Sequence, residues 1–192
     1  MAKYISFFAI TSMILSGCNL QSKMLYYPSS SVPSQEDLSA NHIQFWPSSR
    51  AGYRGFIGSN QINNPKGTVI VFHGNAGTAA YRAYYVRALE SLGYRVLLAE
   101  YPGYGGRAGR LGEKSFVNDA KETVQLIQQQ FGDPIFLLGE SLGAGVAAAV
   151  VKNMPGQING IVLVTPWDSL LSVAQSKFSR WFPVRLFMKD KY

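Results

Sequence analysis

Ser141 is the residue in this chain best placed to act as a nucleophile. It lies in Gly139-Glu140-Ser141-Leu142-Gly143, after the apolar run Pro134 to Leu138 and before the Ala/Val run Ala144 to Val151. Strand, G-x-S-x-G, helix is the setting of a nucleophile elbow, in which a serine hydroxyl stands on a sharp turn at the end of a buried strand. Flanking glycines let backbone and helix approach closely. By composition alone the pentapeptide is weak evidence, and its position between two apolar segments gives it weight. The chemistry would be acyl transfer through an acyl-serine.

A second candidate is His73-Gly74-Asn75-Ala76-Gly77, which closes the β-branched run Thr68 to Phe72. A glycine-bearing loop there can aim backbone N–H groups at a developing oxyanion. The other donor would be the N–H of Leu142, the residue after the serine. The structural alternative is a strand-to-helix turn whose glycines only relieve strain.

The elements that must hold these loops alternate. Short strands are expected over 42–46 and 52–57, with a polar turn over 60–66. A buried strand over 68–72 precedes a helix over 79–92 with Tyr81, Tyr85, Ala88, Leu89 and Leu92 on one stripe. A strand over 94–99 follows, then a helix over 113–130 with Phe116, Ala120, Val124 and Ile127 on one face. Next come a strand over 134–138, a buried helix over 142–154 ended by Pro155, a buried strand over 161–164 and a helix over 168–176. This alternation predicts an α/β domain with a mainly parallel sheet and helices on both faces.

The ends of the chain carry other signals. Lys3, the apolar stretch Ile5 to Leu15 and Leu15-Ser16-Gly17-Cys18 resemble a bacterial lipoprotein signal. The resemblance implies cleavage before Cys18, lipidation of its thiol and new amino group, and an anchored life in the bacterial cell envelope, on the periplasmic or outer-surface side. The expected organisation is a signal over 1–17, a tether over 18–38 and a domain over 39–192. The single cysteine precludes an intrachain disulfide and a multi-cysteine metal site. A net charge of +7 without a Lys/Arg-rich run argues against nucleic acid and suits an anionic lipid surface.

Taken together, H-G-N-A-G, then Tyr101-Pro102-Gly103-Tyr104-Gly105, then G-E-S-L-G, then Thr165-Pro166-Trp167-Asp168-Ser169-Leu170 resemble the α/β-hydrolase superfamily, in its serine-aminopeptidase-like and depalmitoylase-like branch. The resemblance implies Ser141 as nucleophile, the N–H groups of Asn75 and Leu142 as oxyanion donors, a small ester, thioester or amide as substrate, and no metal or cofactor. It implies no particular protein partner. It also implies that the Tyr101–Gly105 loop shapes the pocket floor; Glu100 stands before it where family members often carry aspartate.

One part of the pattern is missing. In this fold the triad runs Ser, then Asp or Glu, then His. The two histidines, His42 and His73, both precede the serine. Asp168 is the acid nearest the right place, and an N-cap of the following helix explains it more simply. The resemblance therefore implies a shortened hydrolase fold lacking its last strand–helix units, about 60 to 90 residues. Two further readings remain: a non-catalytic binding or scaffold lipoprotein on a decayed hydrolase, and a gene fragment.

Overall fold

The computed structural model describes residues 25–167; Cys18, Asp168 and the helix expected over 168–176 lie outside that range. The described strands are β1 (Tyr27–Pro28), β2 (Ile43–Trp46), β3 (Gly55–Gly58), β4 (Thr68–Phe72), β5 (Ala76–Gly77), β6 (Arg95–Ala99), β7 (Ile135–Glu140) and β8 (Gly160–Val164). The α-helices are α1 (Gln35–Ala40), α2 (Ala83–Glu90), α3 (Glu113–Phe131) and α4 (Leu142–Asn153). Six strands form one sheet in the order β2-β3-β6-β4-β7-β8. The ladders from β6 through β4 and β7 to β8 are parallel, and β2 and β3 join antiparallel. This is the α/β-hydrolase fold, a mostly parallel sheet covered by helices on both faces.

Period-2 alternation divides the core. Ile70 and Phe72 of β4 and Leu97 of β6 face α3 and α4, packing with Phe116, Val124, Ile127, Val146 and Val150. Val69, Val71, Val96 and Leu98 face α1 and α2, packing with Leu38, Ala83 and Val86. Every residue of β4 is buried, as a continuous apolar run at the centre of a parallel sheet requires. Each large aliphatic side chain fully buried here contributes about 1.5–3 kcal/mol.

Three expectations change. The segment expected to be tether through residue 38 enters the fold from Leu25 onward. Tyr26 and Leu38 are buried, β1 pairs with β5, and Ser34 and Asp37 form a capping box on α1. The expected helix over 79–92 opens as a 3-10 turn (Ala79–Arg82), whose three-residue period rotates the buried face. Ala79, Ala83 and Val86 point inward, while Tyr81 and Leu92 are exposed. The strand expected to be buried over 161–164 is the edge strand β8 among the described residues, so Ile161, Val162 and Leu163 are exposed.

Charge is concentrated at one internal junction. Asp119 of α3 receives Arg54 at 2.9 Å and both terminal nitrogens of Arg107, at 2.9 and 2.8 Å. Arg107 also donates to the carbonyl of Glu100, and Arg54 also reaches Glu122. Asp119→Ala leaves two partly buried guanidinium groups facing an empty site. Some solvent reaches the cluster, so the expected loss is about 2–3 kcal/mol, at or below the range for a broken buried pair. Urea denaturation of the two proteins measures it, and a loss within about 0.5 kcal/mol would show the cluster to be ordinary surface charge.

Candidate active site

β4 and β7 are neighbours and run parallel, so the loops that leave their carboxyl ends emerge side by side. One is 73–77 and the other is the turn at Ser141. Residues on these loops are drawn together by sheet topology although they are far apart in sequence.

The turn at Ser141 is built by what is absent. Ser141 has φ 52° and ψ −111°, a conformation that costs a non-glycine residue about 1–3 kcal/mol. Its N–H donates to Val164 O at 2.9 Å, and its carbonyl accepts from Ala144 N at 2.8 Å. A Cβ on Gly139 would lie 2.3 Å from Gly143 O, and one on Gly143 would lie 1.9 Å from Phe72 O. Both glycines are therefore required for α4 to start against the ends of β7 and β4. The hydroxyl-bearing residue then sits half-buried at the N-terminus of a twelve-residue helix, where the helix dipole favours negative charge.

The neighbouring loop is held on all sides. Tyr101 Oη donates to His73 O at 2.8 Å, and Tyr104 Oη donates to Asn75 O at 2.9 Å. From the outside, Tyr27 N also donates to Asn75 O at 2.9 Å, and Asn75 Nδ2 donates to Leu25 O at 2.9 Å. Among the described residues, the N–H groups of Asn75 and Leu142 take part in no backbone hydrogen bond. These are the two donors expected for an oxyanion. The tyrosines of the Tyr101–Gly105 loop thus act as props under loop 73–77. Burial pushes the phenols of Tyr101 and Tyr104 well above the ordinary tyrosine range, so both stay protonated and keep donating.

His73 is committed to this scaffold. It is 1% exposed and packs against the rings of Tyr101 and Tyr104. Its Nδ1 lies 2.7 Å from Gly74 O and its Nε2 lies 3.0 Å from Glu100 Oε1. Both ring nitrogens are engaged inside the scaffold: Nδ1–H donates to the carbonyl, and Nε2 is held against the carboxyl. Glu100 Oε2 accepts from Ala79 N at 3.0 Å. No lone pair of this ring is left to take a proton from a serine. His42 is exposed, in the turn before β2 at the opposite end of the sheet. Neither histidine can serve Ser141 as a base.

Sequence reasoning did not find the pair beside the elbow. Arg82 Nη2 and Nε donate to Glu140 Oε1 at 2.7 Å and Oε2 at 3.2 Å, and Tyr84 Oη also points at the carboxylate. The Arg82 hydrogen bonds hold the Glu140 carboxyl below the usual range against the opposing effect of burial. The signal was an arginine 58 residues upstream of the elbow glutamate, which only the fold brings close. Among the described residues, one cleft opens over Ala144, Ala148, Leu163 and Trp167 and another over Gln44, Asn60, Arg95 and Gln130; neither is lined by Ser141. Among the described residues no cluster of His, Cys, Asp and Glu is arranged to hold a metal ion.

Two substitutions test this construction. Gly143→Ala forces a methyl into the Phe72 carbonyl, and its expected cost of about 3 kcal/mol or more should appear as a lowered Tm or loss of soluble protein. Glu140→Gln removes a carboxylate whose pKa folding lowers. The stability it carries is present above the ordinary value near 4.3 and is lost as pH falls through the lower folded value. With solvent screening the gap between wild type and variant is about 1 kcal/mol at pH 7, and it should close in acid. A gap constant from pH 7 to pH 3 would refute the linkage.

Comparison with known proteins agrees with this geometry. A solved α/β-hydrolase from Vibrio vulnificus superposes with a TM-score of 0.60 at 22% identity, covering 77% of this chain and 54% of its own, which supports the fold. An uncharacterized protein of Mycobacterium tuberculosis is 32% identical over 96% of this chain, which spans 68% of that relative. The lysophosphatidylserine lipase ABHD12 of Danio rerio is 32% identical over 62% of this chain and 32% of its own length. The chain thus spans about two thirds of the first relative, about a third of the second and about half of the solved structure. The family model for serine aminopeptidase S33 matches residues 63–187, which include the Asn75 loop, the props and the elbow, and the chain belongs to that family of α/β-hydrolases.

Proposed function

We propose that this chain carries the nucleophile and oxyanion half of a membrane-anchored serine hydrolase acting on a small acyl ester, thioester or amide. The supporting observation is the strained Ser141 beside two N–H donors, Asn75 and Leu142, that take part in no backbone hydrogen bond among the described residues. Ser141 Oγ gives up its proton and attacks the acyl carbonyl, and the two N–H groups stabilise the tetrahedral oxyanion. Its collapse expels the leaving group with a proton and leaves an acyl-serine, and water hydrolyses that ester to free acid and Ser141. The kinship with a lysophosphatidylserine lipase supports a lipid-like acyl substrate. Asp168 remains the candidate acid. Proton transfer needs a base that neither histidine supplies, so turnover by these 192 residues is expected to be residual. Localisation follows the lipoprotein signal, with Cys18 as acylated residue in a bacterial envelope membrane.

A fluorophosphonate probe checks the first half of this reading. It should label the full chain slowly and at Ser141 alone, and Ser141→Ala should abolish the label. Hydrolysis of a p-nitrophenyl ester should fall short of a complete triad by about 10³-fold or more. Rapid Ser141-dependent turnover would reveal a base outside the arrangement described, and labelling that survives Ser141→Ala would remove the serine from its role. Metabolic labelling with a fatty acid checks the second half: Cys18→Ala should lose the label, and an unlabelled full-length precursor would refute the anchor.

A further inference from the structure

The mouth of the site and the attachment point of the N-terminal segment are the same place. Tyr27 N donates to Asn75 O and Ser29 N donates to Gly77 O at 3.1 Å, so β1 adds directly to the oxyanion loop. Gly105 N donates to Ser29 O at 2.8 Å, which ties the same segment to the Tyr101–Gly105 loop. Asn75 Nδ2 secures Leu25 O. The first described residues therefore lie at the carboxyl end of the sheet, on the loop that neighbours Ser141.

We propose that the domain rests mouth-down on a phospholipid bilayer, with Tyr27, Tyr81 and Tyr84 in the interfacial layer and the acyl substrate reaching Ser141 from the membrane. This rests on the anchored reading of Cys18. Tyr27 lies nine residues after Cys18, so a fully extended leash reaches at most about 32 Å. A domain of this size has a radius of gyration of about 14 Å, hence a diameter of about 37 Å. The leash is shorter than the diameter, so the domain cannot turn its far end to the membrane while β1 stays paired.

The surface at that end suits the role. Tyr27, Tyr81 and Tyr84 are 57%, 60% and 47% exposed, and all three lie around the 75–77 loop or the elbow. Tyrosine partitions to the water–lipid boundary, where its ring is apolar and its hydroxyl wet. Arg50, Arg110 and Lys114 are exposed on loops and a first helical turn at the same end, and they attract anionic headgroups.

The test uses the full acylated chain reconstituted into vesicles of phosphatidylcholine with a minority of phosphatidylglycerol. Single substitutions Tyr27→Cys, Tyr81→Cys and Tyr84→Cys, with Asn63→Cys at the far end as control, each carry an environment-sensitive fluorophore. A lipid-borne nitroxide quencher should reduce emission severalfold at the three tyrosine positions and leave position 63 unchanged. Flotation with the vesicles is scored separately and reports the anchor. Flotation with equal quenching at both ends, or with none at the three positions, overturns the orientation and leaves the anchor standing. Failure to float overturns both. In the unsubstituted chain, hydrogen exchange should show slower exchange in vesicles than in detergent over 76–84 and not over 59–66; the reverse or a uniform effect overturns the orientation without a cysteine variant. Loss of fluorophosphonate labelling at Ser141 would count against the hydrolase reading and leave the quenching pattern to be judged alone.

Discussion

Everything at the site depends on one close approach, that of the first turn of α4 to the end of β4. Gly143 has no side chain, so its backbone lies against the carbonyl of Phe72 with no room for a methyl. That contact places the helix N-terminus at the carboxyl end of the central strand. It sets Leu142 N–H beside the loop that carries Asn75 and forces Ser141 into its left-handed turn. The strain at Ser141 is offset by two hydrogen bonds at the turn itself and by the burial of Val146, Ala147 and Val150 behind it.

The second half of the site is rigid for a different reason. Loop 73–77 has little apolar anchorage of its own. It is held by polar groups that are themselves deeply packed: two tyrosine hydroxyls below, the His73–Glu100 pair within, and the backbone of β1 outside. Buried polar networks of this kind rigidify when every member is satisfied, and here each named donor has its acceptor. The histidine that opens the motif is thus a structural member, with its ring nitrogens spent on Gly74 and Glu100.

Much of this was legible in the residues, and what was not has a physical cause. The elbow, β4 and the face of α3 could be read because each is a local pattern: glycines about a serine, a β-branched run, and Phe116, Ala120, Val124 and Ile127 at helical spacing. The orientation of Tyr81 could not, because a 3-10 turn breaks the 3.6-residue period from which a face is inferred. β1 is two residues long and defined by a partner nearly fifty residues away, so no local signal marks it. A local signal for α1 did exist, in the spacing of Ser34 and Asp37. The exposure of β8 depends on what lies beside it in space, and apolarity along the strand is silent about that.

The close approach at Gly143 also separates two kinds of inheritance. The glycines answer to the packing of the domain, the serine to the reaction. A lineage that abandons catalysis is free to replace the hydroxyl, and relief of that constraint removes nothing from the core. It is not free to replace Gly139 or Gly143, since the helix would lose its seat. Among descendants of such a protein, an elbow that keeps both glycines and has lost its serine marks a fold retained for some other use. One that has lost the glycines marks a sequence that no longer needs to fold.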